Sequence, residues 1–198
     1  MSSPWSLRWA LAATACLVAA AAPAAPAATA PAAATLLPAQ SEIAFTTHQV
    51  GVPVEGKFGK FSARIAFDPK QPAAGSVSFS IDTGSARFGA PELDAEIGKP
   101  EWLGVGKFPV ASFQSSAIKA AGPGRFEVTG KLSIKGAAHD IVVPVQLTQA
   151  AGTSTASGSF TIKRLDFKVG EGEWTDTSML ADDVTVRFKL ALTGMPPL

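Results

Sequence analysis

From about residue 40 the chain alternates between apolar and polar residues almost to its end, the mark of strands with one buried face. Residues 41–47 place Ile43 and Phe45 on one side. Residues 60–67 set Phe61, Ala63, Ile65 and Phe67 against Lys60, Ser62 and Arg64. Residues 76–82 set Val77, Phe79 and Ile81 against serines and Asp82. A weaker stretch, 110–118, carries Phe113. Three more follow: 126–134 with Phe126, Val128, Leu132 and Ile134; 141–147 with Ile141, Val143, Val145 and Leu147; and 155–163 with Phe160 and Ile162. The last, 184–192, sets Val184, Val186, Phe188, Leu190 and Leu192 against Thr185, Arg187 and Lys189, which makes eight predicted strands. Turn-forming clusters separate most of them, at residues 68–72, 121–124, 135–136 and 151–154. Short connections make neighbours antiparallel, so the class is all-β. A closed up-and-down barrel and a two-sheet sandwich both satisfy this pattern, and periodicity does not separate them. Only residues 90–103 depart from it. Pro91, Glu92 and Asp94 suit a helix first turn and Gly98 its end, predicting a short helix that packs Leu93, Ile97, Trp102 and Leu103 on one end of the sheet.

The N-terminus has a different texture. Arg8 is followed by a 14-residue apolar run, residues 9–22, too short to cross a bilayer comfortably. It reads as an export signal, with A-x-A sites ending at Ala24, Ala27 and Ala30 and a mature start between residues 25 and 31. The Ala/Pro tract at residues 23–38 reads as the cleavage region plus a short flexible leader. The domain organisation is therefore a signal and leader over 1–30 and one β-domain over 36–198. Cys16, the only cysteine, lies in the apolar run with Ala13 where a lipoprotein signal prefers Leu, so lipid anchoring there is not expected. A cleaved chain would carry no disulfide or thiolate site. Arg8 is also the only charge before residue 36, which leaves 16 basic and 16 acidic residues in the rest. That balance, without a basic run, argues against nucleic acid as a partner.

Candidate chemistry is sparse. The two histidines, His48 and His139, lack metal-ligand spacing, and no strand–elbow–helix surrounds any serine. The acidic stretch 171–176, with Asp182 and Asp183, lacks the oxygen spacing of a calcium loop. His48, Arg164 and Asp166 are the only ionisable groups placed to serve a reaction in a sheet interior. Arg164 and Asp166, two apart, read as a structural ion pair at a sheet end. No catalytic residue, metal or cofactor is expected. The aromatic inventory says more: 12 Phe, all beyond residue 40, and no Tyr. An interior of Phe, Val, Ile and Leu offers a polar substrate no handle. It is either a packed core or the lining of an apolar pocket.

Several segments, in order, resemble the YceI-like family of lipocalin-like, polyisoprenoid-binding proteins. They are Ser41–Phe45 followed by His48–Gly51 and Val54–Phe58; Val77–Asp82; Trp102-Leu103 through Phe108-Pro109 to Phe113–Ser116; Val128–Gly136; and Ile162–Phe167 with Val169-Gly170. The likeness runs from about residue 36 to 192. Lys168 departs from the family's usual Gly, and Gly104–Gly106 from its usual acidic link. The resemblance implies an eight-stranded antiparallel up-and-down barrel in the periplasm, holding an isoprenoid, quinone-like or other long-chain lipid. The residues expected to line it are Phe61, Phe67, Phe79, Phe113, Val128, Leu132, Val143, Phe160 and Phe188, with Phe45 and Trp102 at the mouth. Relatives also imply a membrane b-type cytochrome as a possible partner. The alternative is an exported structural or stress-response module that acts through protein partners.

Overall fold

The computed structural model describes residues 33–198. The export signal, its cleavage sites and Cys16 lie outside those residues. Eleven strands follow in order: β1 (Ala33–Leu36), β2 (Glu42–Gln49), β3 (Val52–Phe58), β4 (Phe61–Ala66), β5 (Ser76–Asp82), β6 (Ala86–Arg87), β7 (Val110–Gly122), β8 (Arg125–Ile134), β9 (Ala137–Ala150), β10 (Thr153–Lys163) and β11 (Asp183–Thr193). One short helix, α1 (Pro91–Glu96), stands between β6 and β7.

Three pairs of these strands are halves of single, kinked strands. β1 with β2, β3 with β4, and β5 with β6 each run on along the barrel, so the wall has eight strands, all antiparallel. β11 pairs with β10 on one side and with both β2 and β1 on the other, which closes the sheet. Closure removes every long free edge, and it decides for the barrel over the sandwich.

Hydroxyl groups hold the kinks. At the first, Ser41 Oγ donates to the Leu37 carbonyl at 2.8 Å and accepts from the Ala191 amide at 2.9 Å, bridging a gap in the ladder. At the second and third, Ser85 Oγ accepts from the Lys60 amide and donates to the Asp82 carbonyl, while Thr83 Oγ1 donates to the Phe108 carbonyl. Thr83 and Ser85 are buried, and each has its partners, as burial of a polar group requires.

Three hairpins turn in two residues with positive φ at both: Val50-Gly51, Lys135-Gly136 and Ala151-Gly152. This mirror-image turn matches the right-handed strand twist. β3 is absent from the sequence expectation because Pro53 and Gly56 break its alternation. It tolerates Pro53 because its outer neighbour β6 pairs only at Lys57 and Phe58, leaving that stretch an edge. The Ala/Pro tract is also corrected: Ala33–Leu36 is not leader but wall, paired to both β4 and β11.

The interior is not uniformly packed. Toward one end, Phe67, Ile118, Phe126, Leu147 and Leu192 are buried. Around the middle, Phe79, Phe113, Phe160, Val186 and Phe188 point inward yet stay half-exposed, because they face empty space.

Candidate functional site

Two cavities lie inside the barrel. The larger, about 300 Å³, is walled by the α1 segment, the 165–182 loop and the adjoining strand ends. The smaller, about 160 Å³, lies toward the tightly buried end. They share Ile43, Phe79, Ile81, Phe113, Phe160 and Val186, so they are consecutive compartments of one tunnel. Every side chain lining the smaller compartment is apolar. In the larger, only Thr47, Gln49, Thr83, Glu96, Ser112 and Arg164 are polar.

Glycines explain how a phenylalanine-rich barrel stays hollow. Gly56 faces Phe45 across β2–β3, and Gly158 faces Phe188 across β10–β11. A methyl on Gly158 would lie 2.6 Å from the Phe188 ring, and one on Gly130 would lie 2.5 Å from the Phe113 ring. Each ring lies flat over a glycine against the wall instead of reaching for the axis.

The expected lining residues divide between the compartments. Phe45, Trp102 and Leu132 line the larger; Phe67, Val128, Val143 and Phe188 line the smaller; Phe79, Phe113 and Phe160 line both. Phe61 is a correction. It lines neither and stacks on Phe79 with ring centroids 5.8 Å apart, because its place on β4 sets it behind that ring. Phe45 stands in an aromatic cluster, 5.1 Å from Phe58 and 5.3 Å from Phe88. Phe58, Phe88 and Trp174 also line the larger compartment and were not expected there. They sit outside alternating stretches, and the one signal was a lone Trp in an acidic loop.

Loops build the mouth. Trp102 meets Trp174 at 5.1 Å and donates its indole N–H to Glu96 at 3.2 Å. Lys99 forms a 2.5 Å ion pair with Glu96, and its hydrogen bond, aided by that of Trp102, holds the carboxyl below the ordinary glutamate range. The helix is as short as expected, and Leu93, Ile97, Trp102 and Leu103 all reach the larger compartment, although Leu93 stays 43% exposed.

Arg164 is the more deeply buried of two cations at this end, with 3% exposure against 8% for Lys135. Its Nε donates to Ala181, one terminal nitrogen to Val169 and Gly170, and the other to Trp174 and Leu180, all backbone carbonyls. Burial lowers its pKa, but a guanidinium stays charged. It is not paired with Asp166, contrary to the sequence expectation: the strand ends at Lys163 and the chain enters a 3₁₀ turn, so the two side chains no longer share a face. All its donors are spent on holding the 165–182 loop, which leaves none for a ligand.

His48 and His139 are exposed, and His139 sits 3.0 Å from the Asp166 carbonyl. The acidic loop is tied locally: Glu171 pairs with the buried Lys135 at 2.7 Å, and Asp176 accepts from Ser178. Among the described residues no group of His, Cys, Asp or Glu could hold a metal ion. Lys168 adopts a left-handed φ of 57°, which accounts for the glycine expected there.

The model of the YceI-like domain matches residues 35–192. The chain belongs to the YceI-like family. A UPF0312 protein of Yersinia enterocolitica is 36% identical over 93 residues, covering 47% of this chain and 48% of that protein. One from Vibrio cholerae is 30% identical over 113 residues, covering 57% and 60%. The chain thus spans about half the length of the curated relatives it matches. Among solved structures, BcnA of Burkholderia cenocepacia is 42% identical with a TM-score of 0.77, covering 79% of this chain and 98% of that one. A polyisoprenoid-binding domain from Saccharophagus degradans shares the fold, with a TM-score of 0.68 at 16% identity over 82% of this chain and 99% of that one.

Proposed function

We propose that this protein binds and carries a long apolar lipid, an isoprenoid or isoprenoid quinone by preference, inside the barrel and in the periplasm. The carrying observation is the tunnel: two apolar compartments in line, sharing six wall residues, with polar side chains only in the one at the mouth. Each CH₂ taken from water into such a tunnel contributes about 0.8 kcal/mol. No directional chemistry is needed, and the two buried cations, Arg164 and Lys135, are already committed to the loop. The family membership and the printed description of the Saccharophagus degradans domain support the same cargo class. The export signal read from residues 1–30 supports the compartment. A quinone head group would face the mouth, where a membrane b-type cytochrome would have to meet it.

Native mass spectrometry of the purified protein, followed by lipid extraction, tests the proposal, with Val186→Phe as the control. Val186 lines both compartments, so the larger apolar side chain blocks the tunnel without burying charge. Co-purified lipid should fall at least tenfold in a variant that still melts cooperatively. Undiminished lipid in a folded Val186→Phe, or none in the parent protein, overturns the proposal.

A further inference from the structure

The far end of the tunnel is closed in two different ways. Of the residues lining the smaller compartment, only Phe67 and Met195 lie outside strands. Phe67 is fixed: it is 6% exposed and meets Phe126 edge-on at 5.0 Å. It also lies against Gly75, where a methyl would come within 2.7 Å of its ring. Met195 is different. It is half-buried, unbranched, and carried on the segment after β11, which Gly194 turns aside at φ 81°.

That segment is clamped by one side chain. Gln149 Nε2 donates to the Pro196 carbonyl at 2.7 Å and to Ser154 Oγ at 3.0 Å, while Gln149 Oε1 accepts from the Leu198 amide at 2.8 Å. Ser154 is buried, so the clamp is anchored in the wall. A glutamine on the inward phase of β9, two residues beyond Leu147, thus spends its whole amide on the strap that carries Met195 and on the wall beside it.

We propose that Met195, held by the Gln149 clamp, is the floor of the tunnel and sets the length of apolar chain the barrel accepts. This rests on the reading of the barrel as an apolar-chain site. Along β11 the lining runs from Val184 to Leu192. At about 3.3 Å per residue and a strand tilt of about 40°, that is roughly 20 Å of axial depth. A chain entering at the mouth gains affinity with each carbon until it meets Met195, and any further length stays outside.

The test is a calorimetric series with geraniol, farnesol, geranylgeraniol and longer prenols on the full protein. Affinity in the parent should rise by about fourfold per CH₂ buried, then level off. Met195→Ala and Gln149→Ala should move the levelling point to a longer prenol, and Met195→Trp to a shorter one. Geraniol, seated near the mouth, should bind all four proteins within about twofold. If the parent binds the series and the levelling point is the same in folded Met195→Ala and Met195→Trp, the floor is not Met195 and this inference falls. If the parent binds no prenol, the reading of the tunnel itself falls.

Discussion

Gly158, Gly130 and Gly56 are where a missing side chain matters most. Each lets a phenylalanine ring lie flat on the wall, so three of the largest residues in the interior line space instead of filling it. Gly158→Ala should therefore cost more than a helix propensity or β propensity change. The new methyl meets the Pro144 carbonyl as well as the Phe188 ring. The carbonyl cannot move without breaking the ladder, so the ring must swing inward. The expected loss is about 1–3 kcal/mol of stability, measured by urea unfolding, together with weaker lipid retention. A purely structural glycine would show the first effect without the second. At Arg164 the logic is reversed: a large charged residue is buried because five backbone carbonyls take its donors, and with Lys135 and the backbone bonds to His48 and Val50 it fastens the loop carrying Trp174 and Leu180 to the barrel.

Elements follow from such residues. Six of the eleven strands are halves of three kinked ones, and each kink is bridged by a Ser or Thr hydroxyl that supplies the ladder bond the bend removes. The α1 segment is fastened more weakly, by Glu96 to Lys99 and Trp102. Glu96 has its pKa lowered, first by the Lys99 hydrogen bond, so its contribution is present above the ordinary glutamate pKa and is lost as pH falls through the lowered one. Lys99 is raised by the same pair, so its contribution is present below its ordinary value and lost as pH climbs past the raised one. The mouth segment should loosen in moderate acid while the barrel stays folded. The Trp102 indole N–H resonance, followed by NMR from neutral pH downward, should shift in that step, and Glu96→Gln should abolish the step. A Trp102 signal that moves only with global unfolding would contradict this.

For the whole molecule, a closed barrel with a hollow middle leaves stability unclaimed until something fills it. A ligand bound at a hundred times its dissociation constant adds about 2.7 kcal/mol. Organic-solvent stripping of co-purified lipid should accordingly lower the melting temperature by about 5–10 °C in scanning calorimetry, reversibly on re-addition of lipid. Much of this architecture was legible beforehand. The eight alternating stretches are the eight barrel strands, since burial of one face imposes a period of two wherever a strand is regular. The short helix at 91–96 was legible from Pro91 and its acids, and most lining residues from the inward phase of their strands. The rest was not, for physical reasons. Pro53 and Gly56 hid β3, because an edge position and a ring overhead replace the usual signals. Ala33–Leu36 looked like leader, because alanines carry no phase and only their partners β4 and β11 make them strand. Phe61 has the right phase, yet the Phe79 ring in front of it decides that it does not meet the cavity. By itself the sequence determined strand number, facing and the apolar character of the interior, all set by near-neighbour periodicity. The tertiary structure alone decided closure, the hollow centre and the loops gathered at the mouth, because these depend on which distant residues, such as Gly158 and Phe188 or Arg164 and Trp174, come to lie side by side.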